Sequence, residues 1–217
     1  MRERFSGVLG TPDAAASLPG QLARLQFAAG ALAYPADVAT YQEGGRVCLA
    51  LGRPRFRDAA LQQACTRQGA AAAWAQAFAR FGDDAVHQAA GRFCVVMVAD
   101  DGREALLATD RFGTWPICYA ARDGRLHFSD RADTVPGVER RVAPQAVFEY
   151  LFFHMIPAPT TIFEGIVRLP HGHLLKWRDG QAECRRWWNP QFDEHGNLAP
   201  PSAEQFAEAR RIFEETE

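Results

Sequence analysis

Three Asp-Gly pairs, each placed between two apolar runs, restrict the fold of this chain more than any other feature. The pairs are Asp101-Gly102, Asp123-Gly124 and Asp179-Gly180. Asp-Gly is typical of the tight turn of a β-hairpin. The runs beside the pairs, such as "RFCVVMVAD" and "EALLA", are apolar at both odd and even positions. Strands of this kind are covered on both faces, so the pattern predicts an α+β fold in which two antiparallel sheets stack and helices lie outside them.

Four segments carry the signals of helices. Residues 58–68 and 70–81 have helical spacing of their apolar positions. A third helix is predicted at 144–153 because it starts with proline, a favoured residue of the first helical turn. A fourth is predicted from Ser202, whose hydroxyl can cap the helix while Gln205 reaches back to it. These helices surround the predicted hairpins and agree with a layered α+β domain.

Composition excludes several classes of protein. Hydrophobic residues make up 47% of the 217 residues and charged residues 23%, which is typical of a soluble globular domain. No apolar run approaches the roughly 20 residues that span a bilayer, and no secretory signal is present, so we expect a cytoplasmic protein without membrane contact. The net charge of -2, with dispersed arginines, predicts no nucleic-acid partner.

The residue types that bind metals are scattered. The five cysteines have no C-x-x-C spacing, which predicts reduced thiols. His171 and His173 would share one face of a strand, but no third ligand is indicated. We therefore expect no metal site in this chain. Residues 11–45 are rich in alanine and fit either short helices or strands.

A family resemblance is carried by three parts of the sequence in order. They are "GRFCVVMVADDGREALLATDRFGTWPICYA", then Tyr150-Leu151, then "IPAPTTIFEGIVRLPHGHLL". Together they resemble the N-terminal half of the asparagine synthase family, in which a class II glutamine amidotransferase domain precedes an ATP-using synthetase domain. The resemblance extends over about residues 70–188. It implies a four-layer α-β-β-α sandwich of the N-terminal-nucleophile hydrolase type.

The resemblance also implies a nucleophile and an oxyanion site. In such domains a Cys exposed as the first residue attacks the amide of glutamine, and its own α-amine is the general base. The best match to the nucleophile's surroundings is "FSGV", where Ser6 replaces the Cys and five residues precede it. The oxyanion pair, Asn-Gly in the family, corresponds to Leu51-Gly52. Gly52 keeps the backbone position, whereas Leu51 replaces the amide donor with a hydrocarbon.

The residues that would hold glutamine are missing as well. Alanines occupy 70–73, where the resemblance places an Asp for the substrate amine. The stretch "LQFAAGALAYPADVATY" has no counterpart of the family's Arg-containing segment. We therefore expect the glutaminase activity to be lost, as in the β-lactam synthetases and lasso-peptide cyclases of this superfamily.

The stretch "LATDRFGTWPICYAA" contains an Asp-Arg pair that invites a catalytic interpretation. Asp110 follows an apolar strand and can accept hydrogen bonds from the next turn, while Arg111 can pair with it or with another carboxylate. Gly113 permits a positive φ, and Pro116 stiffens the exit of the turn. We interpret these four residues as a structural turn, with a link to substrate binding or to a neighbouring domain as the functional alternative.

The predicted organisation has three parts: a degenerate glutamine amidotransferase-like domain at 1–188, a linker at 189–201, and at 202–217 the first helix of a synthetase domain outside this chain. The predicted function is that of the N-terminal domain of an ATP-dependent amide-forming ligase, inactive when alone. ATP and Mg²⁺ are expected only in the synthetase domain, which is the predicted partner in the same or a separate chain. A peptide or small-molecule substrate is a further candidate partner.

Two other functions remain open. One is an amidase that becomes active when the chain is cleaved before Ser6. The other is a non-catalytic binding domain that pairs with a separate synthetase chain through its last helix.

Overall fold

The computed structural model describes residues 5–191 and 202–214. Its strands are β1 (Ser6–Leu9), β2 (Ala23–Phe27), β3 (Gly30–Tyr34), β4 (Ala39–Glu43), β5 (Arg46–Phe56), β6 (Ala89–Ala99), β7 (Glu104–Thr109), β8 (Cys118–Arg122), β9 (Arg125–Ser129), β10 (Val167–Arg168), β11 (His173–Arg178) and β12 (Gln181–Arg186). Its α-helices are α1 (Ala59–Gln68), α2 (Ala70–Phe81), α3 (Pro144–Phe153) and α4 (Ala203–Glu214). Short 3-10 helices occupy Pro12–Ser17, Gly82–Gln88 and Ala132–Thr134.

The strands form two six-stranded sheets. The first sheet has the order β10-β8-β9-β1-β3-β2, and the second has the order β12-β11-β7-β6-β5-β4. Every pairing between these strands is antiparallel. The α+β fold with two antiparallel sheets, predicted from the hairpins, is confirmed.

A hydrophobic core fills the space between the two sheets. The first sheet contributes Phe5, Leu9 and Phe128, and the second contributes Leu107 and Trp177, all of them buried. Because side chains alternate along a strand, the neighbours of these residues face the outer layers. The sandwich therefore explains why the central strands are apolar at odd and even positions.

Helices α1 and α2 cover the second sheet. The side chain of Asp58 caps α1 by accepting hydrogen bonds from the backbone N-H groups of Ala60 and Leu61. Trp74 of α2 is fully buried and contacts the ring of Phe93 on β6, with ring centroids 4.8 Å apart. Helix α2 has the predicted bounds, and α1 begins one residue later than predicted because Asp58 is its cap.

The Asp-Gly pairs form turns of two kinds. At Asp123-Gly124 and Asp179-Gly180 both residues have positive φ, which is the geometry of a two-residue hairpin turn. At Asp101-Gly102 only the glycine has positive φ, and the hairpin loop spans residues 100–103. The first predicted turn is therefore wider than a two-residue turn, although it joins β6 to β7 as expected.

Residues 11–45, which the sequence left open, contain a 3-10 helix and three strands. Strand β3 lies between β1 and β2 and carries the buried Ala31 and Ala33. Their small side chains allow Ala14 of the 3-10 helix at Pro12–Ser17 to pack directly on the sheet. The alanines therefore serve close packing of a thin outer layer on the first sheet.

Helix α4 begins with the predicted capping box. The backbone N-H of Ser202 donates to the Gln205 side chain at 2.8 Å, and Ser202 Oγ accepts from the backbone N-H of Gln205 at 3.2 Å. Most of the predicted linker, residues 192–201, lies outside the described residues. Among the described residues, no helix combines the length and hydropathy that crossing a membrane requires.

A substitution at Gly7 tests the packing between the sheets. A Cβ at this position would lie 2.3 Å from Cζ of Phe128 and 2.7 Å from Cδ2 of Leu32. We expect Gly7→Ala to lower the free energy of unfolding by roughly 1–3 kcal/mol, since inserting a methyl group into a filled core forces neighbours to move. Urea unfolding measures this change.

Gly20→Ala is the matched control. The nearest atom to a Cβ at Gly20 is 3.8 Å away, so we expect a change within about 0.5 kcal/mol. Equal stability of the two variants would contradict the described packing at Gly7.

Candidate functional site

The carboxylate of Asp110 is buried and fixes the turn that follows β7. Its Oδ1 accepts a hydrogen bond from the backbone N-H of Phe112 at 2.8 Å, and its Oδ2 accepts one from the backbone N-H of Phe93 at 3.1 Å. The backbone N-H of Thr114 also donates to this carboxylate, at 3.2 Å from Oδ2. A carboxylate surrounded by backbone donors holds the turn together and has little remaining capacity to bind a substrate.

The backbone around Asp110 joins three chain segments. The carbonyl of Asp110 accepts from the N-H groups of Gly113, at 3.2 Å, and Gly172, at 2.9 Å. The carbonyl of Gly172 in turn accepts from the N-H groups of Trp187 and Trp188. Gly113 has a φ of +62°, which fits the predicted need for a glycine here. The turn after β7 is thereby tied to the entrance of β11 and to the residues after β12.

Arg111 does not form the carboxylate pair that the sequence suggested. Its guanidinium lies 5.8 Å from the centre of the Trp188 ring, and its Nε is buried without a hydrogen-bond partner. Within residues 5–191 and 202–214, no carboxylate forms an ion pair with Arg111. Backbone N-H groups occupy the Asp110 carboxylate, and the Trp188 indole offers the Arg111 cation a flat face.

Gly52 is surrounded by other groups on β5. It has a φ of +91°, and a Cβ there would lie 2.2 Å from the Arg92 carbonyl oxygen and 2.8 Å from Nε1 of Trp115. Leu51 beside it is part of the core between the sheets. The position expected for the oxyanion therefore combines a buried hydrocarbon with a glycine that packing alone requires.

Trp115 is held in place from its own turn. Its carbonyl accepts a hydrogen bond from Oγ1 of Thr109 at 3.1 Å. Pro116 follows it and leads into the buried Ile117, just before β8. The turn that begins at Asp110 thus places an indole ring beside Gly52, which the sequence pattern did not reveal.

Ser6 is fully buried at the start of β1. Its backbone pairs with Ala33 of β3 on one side and with Ser129 of β9 on the other. Val8, two residues along the strand, belongs to the outer layer, so Ser6 faces that layer too. Leu51 lies in the core between the sheets, so the Ser6 hydroxyl and the Leu51 side chain are on opposite sides of the first sheet. The Oγ of Ser6 has no hydrogen-bond partner within residues 5–191 and 202–214.

Phe5, the residue before Ser6, is fixed in the fold by its ring and its carbonyl. Sequence reasoning did not identify this role. The ring of Phe5 is buried in the core, with its centroid 6.3 Å from that of Phe128. Its carbonyl accepts hydrogen bonds from Ser129 Oγ, at 2.9 Å, and from the backbone N-H of Asp130, at 3.3 Å. The peptide unit before Ser6 is therefore an integral part of the first sheet.

The remaining candidate positions are the alanines where an Asp for the substrate amine was expected and the histidine pair considered for metal binding. Ala71, Ala72 and Ala73 at the start of α2 are buried. His171 and His173 contact each other through Nδ1 of His173 and the carbonyl of His171, 2.8 Å apart. No cluster of three metal-binding side chains occurs in the described part of the chain.

Comparison with known proteins gives a family and two weak structural likenesses. The model of the glutamine amidotransferase domain family matches residues 57–188, more than half of the chain. A search of the curated proteins finds no match. A glutamine phosphoribosylpyrophosphate amidotransferase from B. subtilis, complexed with ADP and GMP, aligns with 86% of the chain at 12% identity and a TM-score of 0.45. A structure described as the allosteric regulatory enzyme of purine biosynthesis aligns with 86% at 10% identity and a TM-score of 0.47. The chain spans 43% of the length of each.

The substitution Asp110→Asn tests whether the carboxylate of Asp110 stabilises the turn after β7. The amide would place an N-H group against a backbone donor, so we expect the free energy of unfolding to fall by roughly 2–3 kcal/mol. Asp101→Asn is the control, because Asp101 is exposed and its Oδ1 accepts from a single backbone N-H, that of Arg103 at 2.8 Å. We expect a loss below about 1 kcal/mol there. Equal losses in urea unfolding would contradict the turn described for Asp110.

The burial of His127 makes the free energy of unfolding depend on pH. Burial lowers its pKa below the ordinary value of 6.5, against the opposing effect of a hydrogen bond to the Pro136 backbone. The unfolded chain therefore binds more protons just below pH 6.5, and stability is lost as the pH falls through this range. We expect His127→Gln to reduce the slope of unfolding free energy against pH between about 5 and 7. An unchanged slope would contradict the burial of His127 as the cause.

Proposed function

Because the chain belongs to the glutamine amidotransferase domain family, we propose that it is the class II amidotransferase-like domain of an asparagine-synthase-like ligase. The ligase would use ATP to form an amide bond, and this domain would hydrolyse no glutamine. The partner would be a synthetase domain, in the same or a separate chain, and that domain would bind ATP and Mg²⁺. The amine would then come from a peptide or small-molecule substrate rather than from ammonia.

One observation carries the loss of glutaminase activity: the Phe5-Ser6 peptide unit is built into the first sheet. An N-terminal nucleophile needs a free α-amine, which exists only when the preceding peptide bond is cleaved. Cleavage here would remove a buried ring from the core and the carbonyl that accepts from Ser129 and Asp130. The fold therefore opposes formation of the one group that would activate Ser6.

The surroundings of Gly52 support the same proposal. An oxyanion site needs two donors directed at one empty position. Here Leu51 offers no donor, and the Trp115 indole lies beside Gly52. A substrate carbonyl would have to displace Trp115 before it could approach the backbone at Gly52.

A binding domain without catalysis is the second candidate. It is favoured by the apolar side chains of α3 that are exposed on the surface. We regard it as compatible with the main proposal, since a domain without catalytic activity still has a surface that other proteins can bind. The cytoplasm is the compartment we propose, because the cysteines in the described residues are free thiols.

Ammonia release from glutamine tests the proposal. We expect the purified protein to release no ammonia above the buffer blank, and Ser6→Ala to behave identically. Ser6→Ala should fold normally, because the hydroxyl it removes has no hydrogen-bond partner. Activity that disappears in Ser6→Ala would contradict the proposal and establish the amidase alternative.

Leu51→Asn is an informative companion. It restores the side-chain amide that the family uses at this position. We expect no activity from it either, because the α-amine base is still absent. Activity in Leu51→Asn alone would show that the oxyanion donor is the only missing group.

A further inference from the structure

Arg53 and Arg92 lie directly opposite each other near one end of β5 and β6. They are partners in the antiparallel ladder of these two strands, and both residues are exposed. Opposed side chains in such a ladder have Cβ atoms roughly 5 Å apart, and like charges at this spacing destabilise the strand pair. Two guanidinium groups held this close favour a negative group between them.

Both arginines are on the side of the second sheet that faces the first sheet. Leu51 and Cys94, two residues away along each strand, also pair directly and belong to the core between the sheets. Phe56 and Ala89, at the same end of the two strands, pack with the helices on the other side. The alternation of side chains therefore continues through this end of β5 and β6. The two guanidinium groups accordingly lie where the core between the sheets ends and solvent begins.

The strands that carry the two arginines do not compensate their charges. Strands β5 and β6 contain no Asp or Glu. Within residues 5–191 and 202–214, neither guanidinium group takes part in a hydrogen bond or an ion pair. Arg55, two residues further along β5, has an interaction of its own and is not part of the pair.

The carboxylates in this part of the molecule have other partners. Burial and, to a smaller extent, the charges of Asp130 and Asp110 raise the pKa of the Cys94 thiol, so both carboxylates are near this end of β6. Asp110 accepts from backbone N-H groups, and Asp130 accepts from the hydroxyl of the preceding serine and has a further interaction. Asp58, just after β5, caps α1 and pairs with Arg80. In the described part of the chain, none of these three carboxylates pairs with the opposed arginines.

The charge of the pair indicates which negative group fits it. A guanidinium group is planar and binds carboxylate or phosphate through two parallel hydrogen bonds. A carboxylate has one negative charge and would leave one arginine uncompensated. A phosphate group carries about -1.5 to -2 at pH 7 and balances both arginines. The net charge of -2 on the chain opposes a polyanion such as nucleic acid, so a small phosphate-bearing molecule fits best.

We propose that Arg53 and Arg92 form a binding site for the phosphate group of a small molecule, with one guanidinium group on each side of it. The bound group would lie close to Leu51 and Gly52, where the resemblance places the oxyanion pair. The proposal concerns the two arginines alone and does not depend on the loss of glutaminase activity.

Isothermal titration of the purified chain with sodium phosphate, in a low-salt buffer near neutral pH, tests the proposal. We expect saturable binding. Arg53→Gln and Arg92→Gln should each raise the dissociation constant roughly tenfold or more, because each removes charge-assisted hydrogen bonds. Arg53→Lys keeps the charge and should weaken binding less than Arg53→Gln does.

Arg67→Gln is the matched control. Arg67 is also an exposed arginine, but it lies on α1, which covers the opposite face of the second sheet. We expect its dissociation constant for phosphate to equal that of the wild type. Unchanged melting temperatures in phosphate-free buffer would show that all the variants fold.

Four results would overturn the proposal. The first is a wild type that shows no saturable binding of phosphate. The second is an unchanged dissociation constant in both Arg53→Gln and Arg92→Gln, which would place bound phosphate elsewhere. The third is an equal loss of affinity in Arg67→Gln, which would show that only the overall charge matters. The fourth is acetate that binds as tightly as phosphate, since the pair would then not require the second negative charge.

Discussion

The buried carboxylate of Asp110 is the constraint on which the end of the sandwich depends. This carboxylate accepts hydrogen bonds from the backbone N-H groups of Phe93 within β6 and Phe112 in the turn after β7, and the carbonyl of Asp110 accepts one from Gly172 before β11. Thr109, next in the chain, holds the Trp115 carbonyl and accepts the Trp187 indole N-H. Asp110 and Thr109 together hold the turn that carries Trp115, whose indole lies beside Gly52.

Several positions that the family resemblance links to catalysis are occupied by side chains buried inside the fold. The position of the nucleophile is a buried serine inside a paired strand, with a core phenylalanine immediately before it. The position expected for the amide donor is a core leucine, and the alanines Ala71, Ala72 and Ala73, where the resemblance implies an Asp for the substrate amine, are buried. The apolar side chains of Leu51 and of these alanines need no hydrogen-bond partner when buried, unlike the polar groups that the resemblance implies there.

Sequence reasoning succeeded where local chemistry decides structure. The Asp-Gly turns and the apolar stripe of α2 predicted hairpins and a helix correctly, because each depends on a few neighbouring residues. It left residues 11–45 open because alanine is depleted in strands, and the burial of Ala31 and Ala33 in β3 depends on contacts distant in the chain. Sequence reasoning also missed the packing of Phe5 and Trp115. It suggested a carboxylate partner for Arg111 rather than the Trp188 ring, for the same reason. Their environments are made by segments far apart in the chain.

The intact mass of the purified protein shows most directly whether the chain is cleaved before Ser6. The account predicts that the chain retains Phe5 and the residues before it, since the peptide unit between Phe5 and Ser6 belongs to the first sheet. Ser6 would then have no free α-amine. A mass that corresponds to a chain beginning at Ser6 would contradict the account, because it would show that the fold tolerates the cleavage that creates an N-terminal nucleophile.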